Sequence, residues 1–338
     1  MSVPSLLSIF GNSGLPDPVY VDDVFGVNLH TANNSAVTIT NGLDLAGEGG
    51  MVWGKSRSAT QNHRLYDTEG NGLYPNLTYG SFGTSGRFTA NSDGYDLTAA
   101  SGIVGGSGFG GPNYVYWSFR KAPGFFDVVT WTGDGNGTRA IAHLLDNVPG
   151  MIIVKCTNNT ENWAVYHRSL PADGSDKVYS LELDTSSAQG QFEKFSNHGA
   201  QTSSTFSVRT SLNVTNRTYV AYIFAHDDAR FGTDRDESIV KCDNYTGTGN
   251  NGLAINVGFE PGWLFLKNSN IPQGEWRIMD NKRLNGLDSN SLRSNVDSGE
   301  SAGQLKFTST GFEMTTSGSS DYNRNGDTFI YIAIRKGA

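Results

Sequence analysis

The sequence predicts an all-β protein built as a tandem array of three related β-sandwich units behind a short N-terminal arm. Three observations predict it: an internal repeat of about a hundred residues, short apolar strands at roughly ten-residue spacing between turn signals, and 42 glycines in 338 residues, against the ~7% typical of proteins.

The repeat is read most directly from "GGMVWGKSRSATQNHRLYD", "PGMIIVKCTNNTENWAVYH" and "PGWLFLKNSNIPQGEWRIMD". Each runs from glycine through an apolar strand to a lysine, Lys55, Lys155 and Lys267, then through a polar turn to a second strand. Ahead of these phrases lie "LHTANN" at 29, "WTGDGN" at 131 and "YTGTGN" at 245. Behind them lie short alternating strands, "GYDL" at 94, "TFSV" at 205 and "GFEM" at 311. The closing strands are "YVYWSF", "YVAYIF" and "FIYIAI". Side chains alternate faces along a strand, so Val115, Trp117 and Phe119 share a face, matched by Val220, Tyr222 and Phe224 and by Ile330, Ile332 and Ile334. The other face is also largely apolar, which predicts a central strand covered on both sides. "TRAIAHLLDN" from Thr138 has helical propensity, but its counterparts "AVTITNGLDL" and "NGLAINVGF" are β-rich or broken by glycine, so all three are read as strands.

In the second unit the pattern predicts strands near 127–132, 138–144, 151–156, 162–168, 178–184, 192–195, 205–209 and 218–225. Eight short strands suit a two-sheet sandwich of jelly-roll type. The boundaries that follow are an arm over 1–23 and units over 24–126, 127–239 and 240–338. "FRKAPGFFDVV" is the junction of the first two units, with Phe125 and Phe126 packing between sandwiches.

Composition narrows the class. Twenty-five basic and 33 acidic residues leave a net charge of −8, which disfavours a phosphate backbone as the main partner. No apolar run approaches the ~20 residues of a membrane helix. The N-terminus lacks a basic region before a sustained apolar run, so it does not read as a signal peptide. Cys156 and Cys242, without CxxC spacing, read as free thilols of a chain folding in a reducing cytoplasm.

No motif for chemistry is complete. Glu182 and Asp184 alternate onto one face as glycosidase carboxylates would, but 186 and 187 are serines where a third acid would close the signature. Asp321, Asn323, Asn325 and Gly326 follow a calcium loop whose closing glutamate is replaced by Ile332; the shared property with the other units is a turn. "HDDARFGTDRDE" gathers acid, Asp234 and Asp236 included, and reads as a solvated linker. His167 aligns with Asp67 and Asp280 at a polar strand end. Trp163 and Trp276 occupy equivalent places and read as core rather than as sugar platforms. Loops 186–204 and 284–303 are the better candidates for surface recognition. The expectation is therefore no catalytic, cofactor-binding or metal residues and no cofactor.

"GLDLAGEGGMVWGKSRS", "FRKAPGFFDVVTWTGDGN", "VPGMIIVKCTNNTENWAVYHRSL", "YVAYIFAHDDARFG" and "FIYIAIRK" resemble the repeated domain of unknown function found in virion structural proteins, often tail-fibre-like, of marine bacteriophages such as cyanophages. The resemblance runs from Val24 to Lys336. It implies concanavalin-like or jelly-roll sandwiches in a non-enzymatic tail fibre or tail-associated appendage that contributes to assembly and host attachment. A capsid decoration or head-fibre protein is one alternative and a module binding host-surface glycan another. The partners it implies are other virion proteins and copies of the chain itself, a trimer above all; the arm over 1–23 alternates Pro, Gly and a short apolar "LLSIF", cannot form a core itself, and is expected to dock on another virion protein or a neighbouring subunit. Nucleic acid and membrane insertion are not expected. The place it implies is the virion surface, after synthesis in the host bacterial cytoplasm.

Overall fold

The computed structural model describes residues 17–104, 113–174, 176–286 and 288–338. The protein is all-β: strand makes up 43% of the chain, and the 4% that is helical consists of short 3-10 turns. Of the arm expected over 1–23, residues 1–16 lie outside the described residues. Residues 17–23 belong to the folded body, where Val19 O accepts from Gly232 N at 3.0 Å and Val21 is buried in a 3-10 turn, Val21–Asp23.

One strand order recurs three times. In the first unit the opening strand Phe25–Thr31 pairs with the closing strand Asn113–Arg120, which pairs with the lysine strand Gly50–Ser56. The return strand Arg64–Asp67 and the short Gly72–Leu73 complete the sheet. The second unit repeats this order with Phe126–Thr132, Thr218–Phe224, Met151–Cys156, Ala164–His167 and Leu181–Glu182. The third does so with Val240–Thr246, Thr328–Arg335, Pro261–Asn268, Arg277–Asn285 and Asp288–Arg293. Neighbours in all three are antiparallel.

Each unit also has a smaller strand set. Val37–Thr40, Gly94–Leu97 and Phe88–Asn91 form it in the first unit, and Arg139–Ala142 with Thr205–Val208 in the second. In the third, Ala254–Asn256, Gly311–Met314 and Leu305–Thr308 join the large sheet through a pairing of Lys306 with Asp288, making one eight-stranded sheet. The segment 192–195 does not form the expected strand. Phe195 bridges Val208 while Ser196 bridges Lys177, so adjacent residues turn to two different segments and no ladder extends.

The T-G-x-G-N turns have a local cause. A side chain on Gly133 or Gly247 would begin 2.1 or 2.2 Å from the carbonyl oxygen of Val214 or Arg324. The loops wrap instead around buried asparagines: Asn213 Nδ2 donates to Asp134 Oδ1 and Asn136 O, and Asn323 Nδ2 donates to Asn250 O.

Both faces of each closing strand are covered, and in the first and third units the two faces belong to different clusters. Tyr114 and Tyr116 pack with Tyr95 and Leu97 of their own small sheet, and Tyr331 and Ala333 pack with Phe312 and Met314 of theirs. The opposite faces, Val115, Trp117 and Phe119 with their counterparts Val220, Tyr222, Phe224, Ile330, Ile332 and Ile334, belong to one cluster shared by all three units. Phe119 lies 5.6 Å from Phe224 and 5.5 Å from Trp263, and Trp53 lies 6.0 Å from Phe265, all edge-on. Burying an aromatic or branched side chain stabilises by roughly 1.5–3 kcal/mol, so these large faces could not be left to water. Phe125 and Phe126 are fully buried, and Phe126 sits 4.9 Å from Phe224 and 5.6 Å from Phe119, filling the junction of the first two units.

Candidate functional site

Two places concentrate polar side chains against apolar surroundings: the seams between units, and a groove where the linkers meet.

The seams start from the repeated lysines. Lys55, Lys155 and Lys267 are completely buried on strands that are buried throughout. A buried ammonium must spend its donors. Lys155 Nζ donates to Cys156 O, Glu161 O and, in the first unit, Thr78 O at 2.8–3.0 Å. Lys267 Nζ donates to Asn268 O and Gly274 O, with Ser186 O of the second unit at 3.4 Å. Lys55 Nζ donates to Ser56 O and Ala59 O. Burial pulls each lysine down to about 8, because the charged form loses its water.

The start of each return strand reaches the neighbouring unit. Trp163 Nε1 donates to Tyr74 O and Leu77 O of the first unit, both at 3.1 Å, and Trp276 Nε1 donates to Glu182 O of the second at 2.9 Å. At the equivalent place in the first unit His63 Nε2 lies 2.9 Å from Arg293 O of the third. Burial holds His63 well below its ordinary range. The contacts thus run from first to third, third to second and second to first, which closes a ring.

The strand ends repeat that cycle in the opposite sense. Tyr222 of the second unit donates to Asp67 Oδ2 at 2.7 Å, and Trp117 Nε1 of the first donates to Asp280 Oδ2 of the third at 2.9 Å. His167 Nε2 of the second lies 3.0 Å from Tyr331 O of the third, where the position matching Trp117 and Tyr222 is Ile332, which has no donor. Burial lifts the Asp67 carboxyl and pulls His167 down to about 3.

The seam between the first and third units adds charge. Arg57 donates through two nitrogens to Glu300 at 2.9 and 3.0 Å, and Glu300 N donates to Arg57 O at 2.8 Å. Arg283, fully buried, pairs with buried Asp280 at 2.7 Å and reaches Glu300 at 3.4 Å.

The groove, of about 490 Å³, lies between the first linker and the second and is also lined by Asp17 and Val19. Val19, Ala122, Pro123 and Phe231 supply apolar lining. Its charges are matched: Arg230 pairs with Asp146 and Asp228 at 2.9 and 2.7 Å, and Lys121 with Asp127 at 3.3 Å. Such a surface suits contact with a polypeptide better than capture of an anion.

The candidates from sequence scatter. Glu182 gives its backbone oxygen to Trp276, and the Asp184 carboxylate accepts from Trp163 N, burial lifting it to about 6. Asp321 is held by Arg277 and by Glu275 N, so the would-be calcium turn spends that carboxylate on an internal ion pair. Among the described residues no cluster of three or more His, Cys, Asp or Glu side chains is placed to hold a metal ion. Asp234 and Asp236 are exposed on the second linker. Trp163 and Trp276 are buried, as are Cys156 and Cys242. Parts of both loops expected to recognise other surfaces face inward: Gln189 N donates to Ser269 O of the third unit, and Glu300 meets Arg57 of the first. The Arg57–Glu300 pair had no sequence signal, being 243 residues apart. The buried lysines had one, a lysine repeated at the same place in three apolar strands.

Fold and seams together define an all-β body of several sheets in which three repeats share one core. The chain belongs to the family described as Domain of unknown function (DUF7483), which it matches over residues 21–336. No curated protein matches it. One copy of the family's domain thus spans all three repeats, as a shared core requires.

Proposed function

We propose that the protein is a non-enzymatic structural component of a virion, a tail fibre or tail-associated appendage, whose units are sandwiches of jelly-roll or concanavalin type. The observation that carries this reading is where the chain spends its buried polar groups. Lys155, Lys267, Trp163, Trp276, Asp67 and Asp280 each bond to a neighbouring unit, which is chemistry used for cohesion. The resemblance of the repeated phrases supplies the virion. A glycan-binding role would need a platform other than Trp163 or Trp276, since both are buried in seams.

Gold-labelled antibody on purified particles tests the proposal. Label at the tail in a few copies per particle is the expected result; dense label over the capsid would favour a decoration protein, and none on intact particles would overturn the virion reading. We further propose that residues 1–16 carry docking to another virion protein. A chain starting at Asp17 keeps Val19 and Val21 in place and should fold, yet fail to enter particles; normal incorporation would refute this.

A further inference from the structure

The three seams are built from equivalent contacts, but the chain crosses them differently. The first and second units are joined by five residues, 121–125, between Arg120 and Phe126, and Phe125 is buried in the junction. The second and third are joined by fifteen residues, 225–239, between Phe224 and Val240. Most of that length is not needed to make the connection, because Asp227 N already donates to Val240 O at 2.8 Å. Residues 228–239 are an excursion that leaves and returns to one place, held by Arg230 with Asp146 and by a bridge between Phe231 and Glu237. Twelve residues paid out fully would reach about 40 Å.

The seam between the first and third units has no covalent connection of its own. Everything that closes it is a contact between side chains or backbone groups: Arg57 with Glu300, Trp117 with Asp280, His63 with Arg293, and Trp53 with Phe265. Those contacts can be made equally well by the third unit of another chain, so exchange re-forms every one of them; its cost is the association of two molecules and the release of the excursion's own contacts, Arg230 with Asp146 and Gly232 N with Val19 O among them.

We propose that the third unit is exchangeable: the face presented by the first and second units is an association surface whose partner is the third unit of a second copy, and the 228–239 excursion is the slack that permits the crossing. Exchange links copies without creating a new interface, and it does not depend on the virion reading.

Mixing two single variants of the full chain, Arg57→Cys and Glu300→Cys, tests this. Glu300 N lies 2.8 Å from Arg57 O, close enough for a disulfide between these positions, and the native cysteines are buried. After co-incubation and mild oxidation, a disulfide-linked species of twice the chain mass can form across this seam only between exchanged chains. The double variant reports closure within one chain. Ser81→Cys mixed with Thr157→Cys probes the tightly tethered seam, where Ser81 N donates to Thr157 O at 2.7 Å. The expected result is linked heterodimer from the first mixture and none from the second. Removing residues 229–236 should lower the heterodimer at least about tenfold while the double variant still closes. No heterodimer in the first mixture, equal amounts in both, or a yield indifferent to the deletion would each overturn the proposal.

Discussion

The seam between the first and third units and the seam between the first and second do the same work with different chemistry. Trp117 of the first unit reaches Asp280 of the third, just as Tyr222 of the second reaches Asp67 of the first. Around Asp67 the remaining partner is neutral, Asn71, through its backbone N–H and side-chain amide. Around Asp280 a buried guanidinium is added, and through Glu300 the network extends to Arg57. The tethered seam has a five-residue linker to hold its partners in register. The closing seam joins segments far apart in the chain, 163 residues for Trp117 with Asp280 and 243 for Arg57 with Glu300, and directional ion pairs fix its register where no linker can.

The two seams should differ most at their aspartates. Asp280→Ala strips buried Arg283 of its nearest carboxylate, leaving only Glu300 at 3.4 Å and Ile278 O, and should cost about 3–5 kcal/mol. Asp67→Ala leaves only the Tyr222 hydroxyl and Asn71 unsatisfied, and should cost about 1–3 kcal/mol. Urea denaturation of both variants measures the difference; equal losses would mean that the charge adds nothing to the closing seam.

A pH titration asks whether the seams share their lysines' behaviour. With folded values near 8 against 10.5 unfolded, the unfolded chain holds more protons between those limits. Stability should therefore rise with pH from about 8, by at most about 1.4 kcal/mol per pH unit per lysine. Above pH 9 Cys242, pushed up by burial, opposes the rise, because it keeps in the folded state a proton that the unfolded chain loses. Lys55→Met should shrink the slope of the urea midpoint between pH 8 and 9 by about a third; an unchanged slope would sever the lysines from it.

Smaller effects sharpen the contrast. Glu300→Gln should cost about 1 kcal/mol, since the Arg57–Glu300 pair is partly exposed, and that loss should shrink in high salt. Trp163→Phe and Trp276→Phe each remove one N–H donor to a neighbouring unit's backbone and should cost about 1 kcal/mol each, with little salt dependence. A salt-sensitive loss in the tryptophan variants would erase the distinction between these neutral contacts and the Arg57–Glu300 ion pair.

Much of the fold is legible in the sequence. The lysine strands, the return strands and the closing strands stand where three aligned phrases put them, because a strand's register follows from local alternation and its ends from glycine and asparagine. The segment 192–195 misled because one buried side chain, Phe195, resembles a strand locally while its ladder depends on partners elsewhere. Trp163 and Trp276 were legible as buried, though not as seam donors, and Arg57 with Glu300 was invisible.

By itself the sequence determined the all-β class, the threefold repeat, and that Trp117, Tyr222 and Ile332 lie on a buried face. Those are properties of period and composition, which each segment carries alone. Only the tertiary structure decided that this face meets the other two units, and that the ring closes on Arg57, Asp280, Arg283 and Glu300. Alternation says that a side chain is covered and is silent on what covers it, because the hydrophobic effect has no direction.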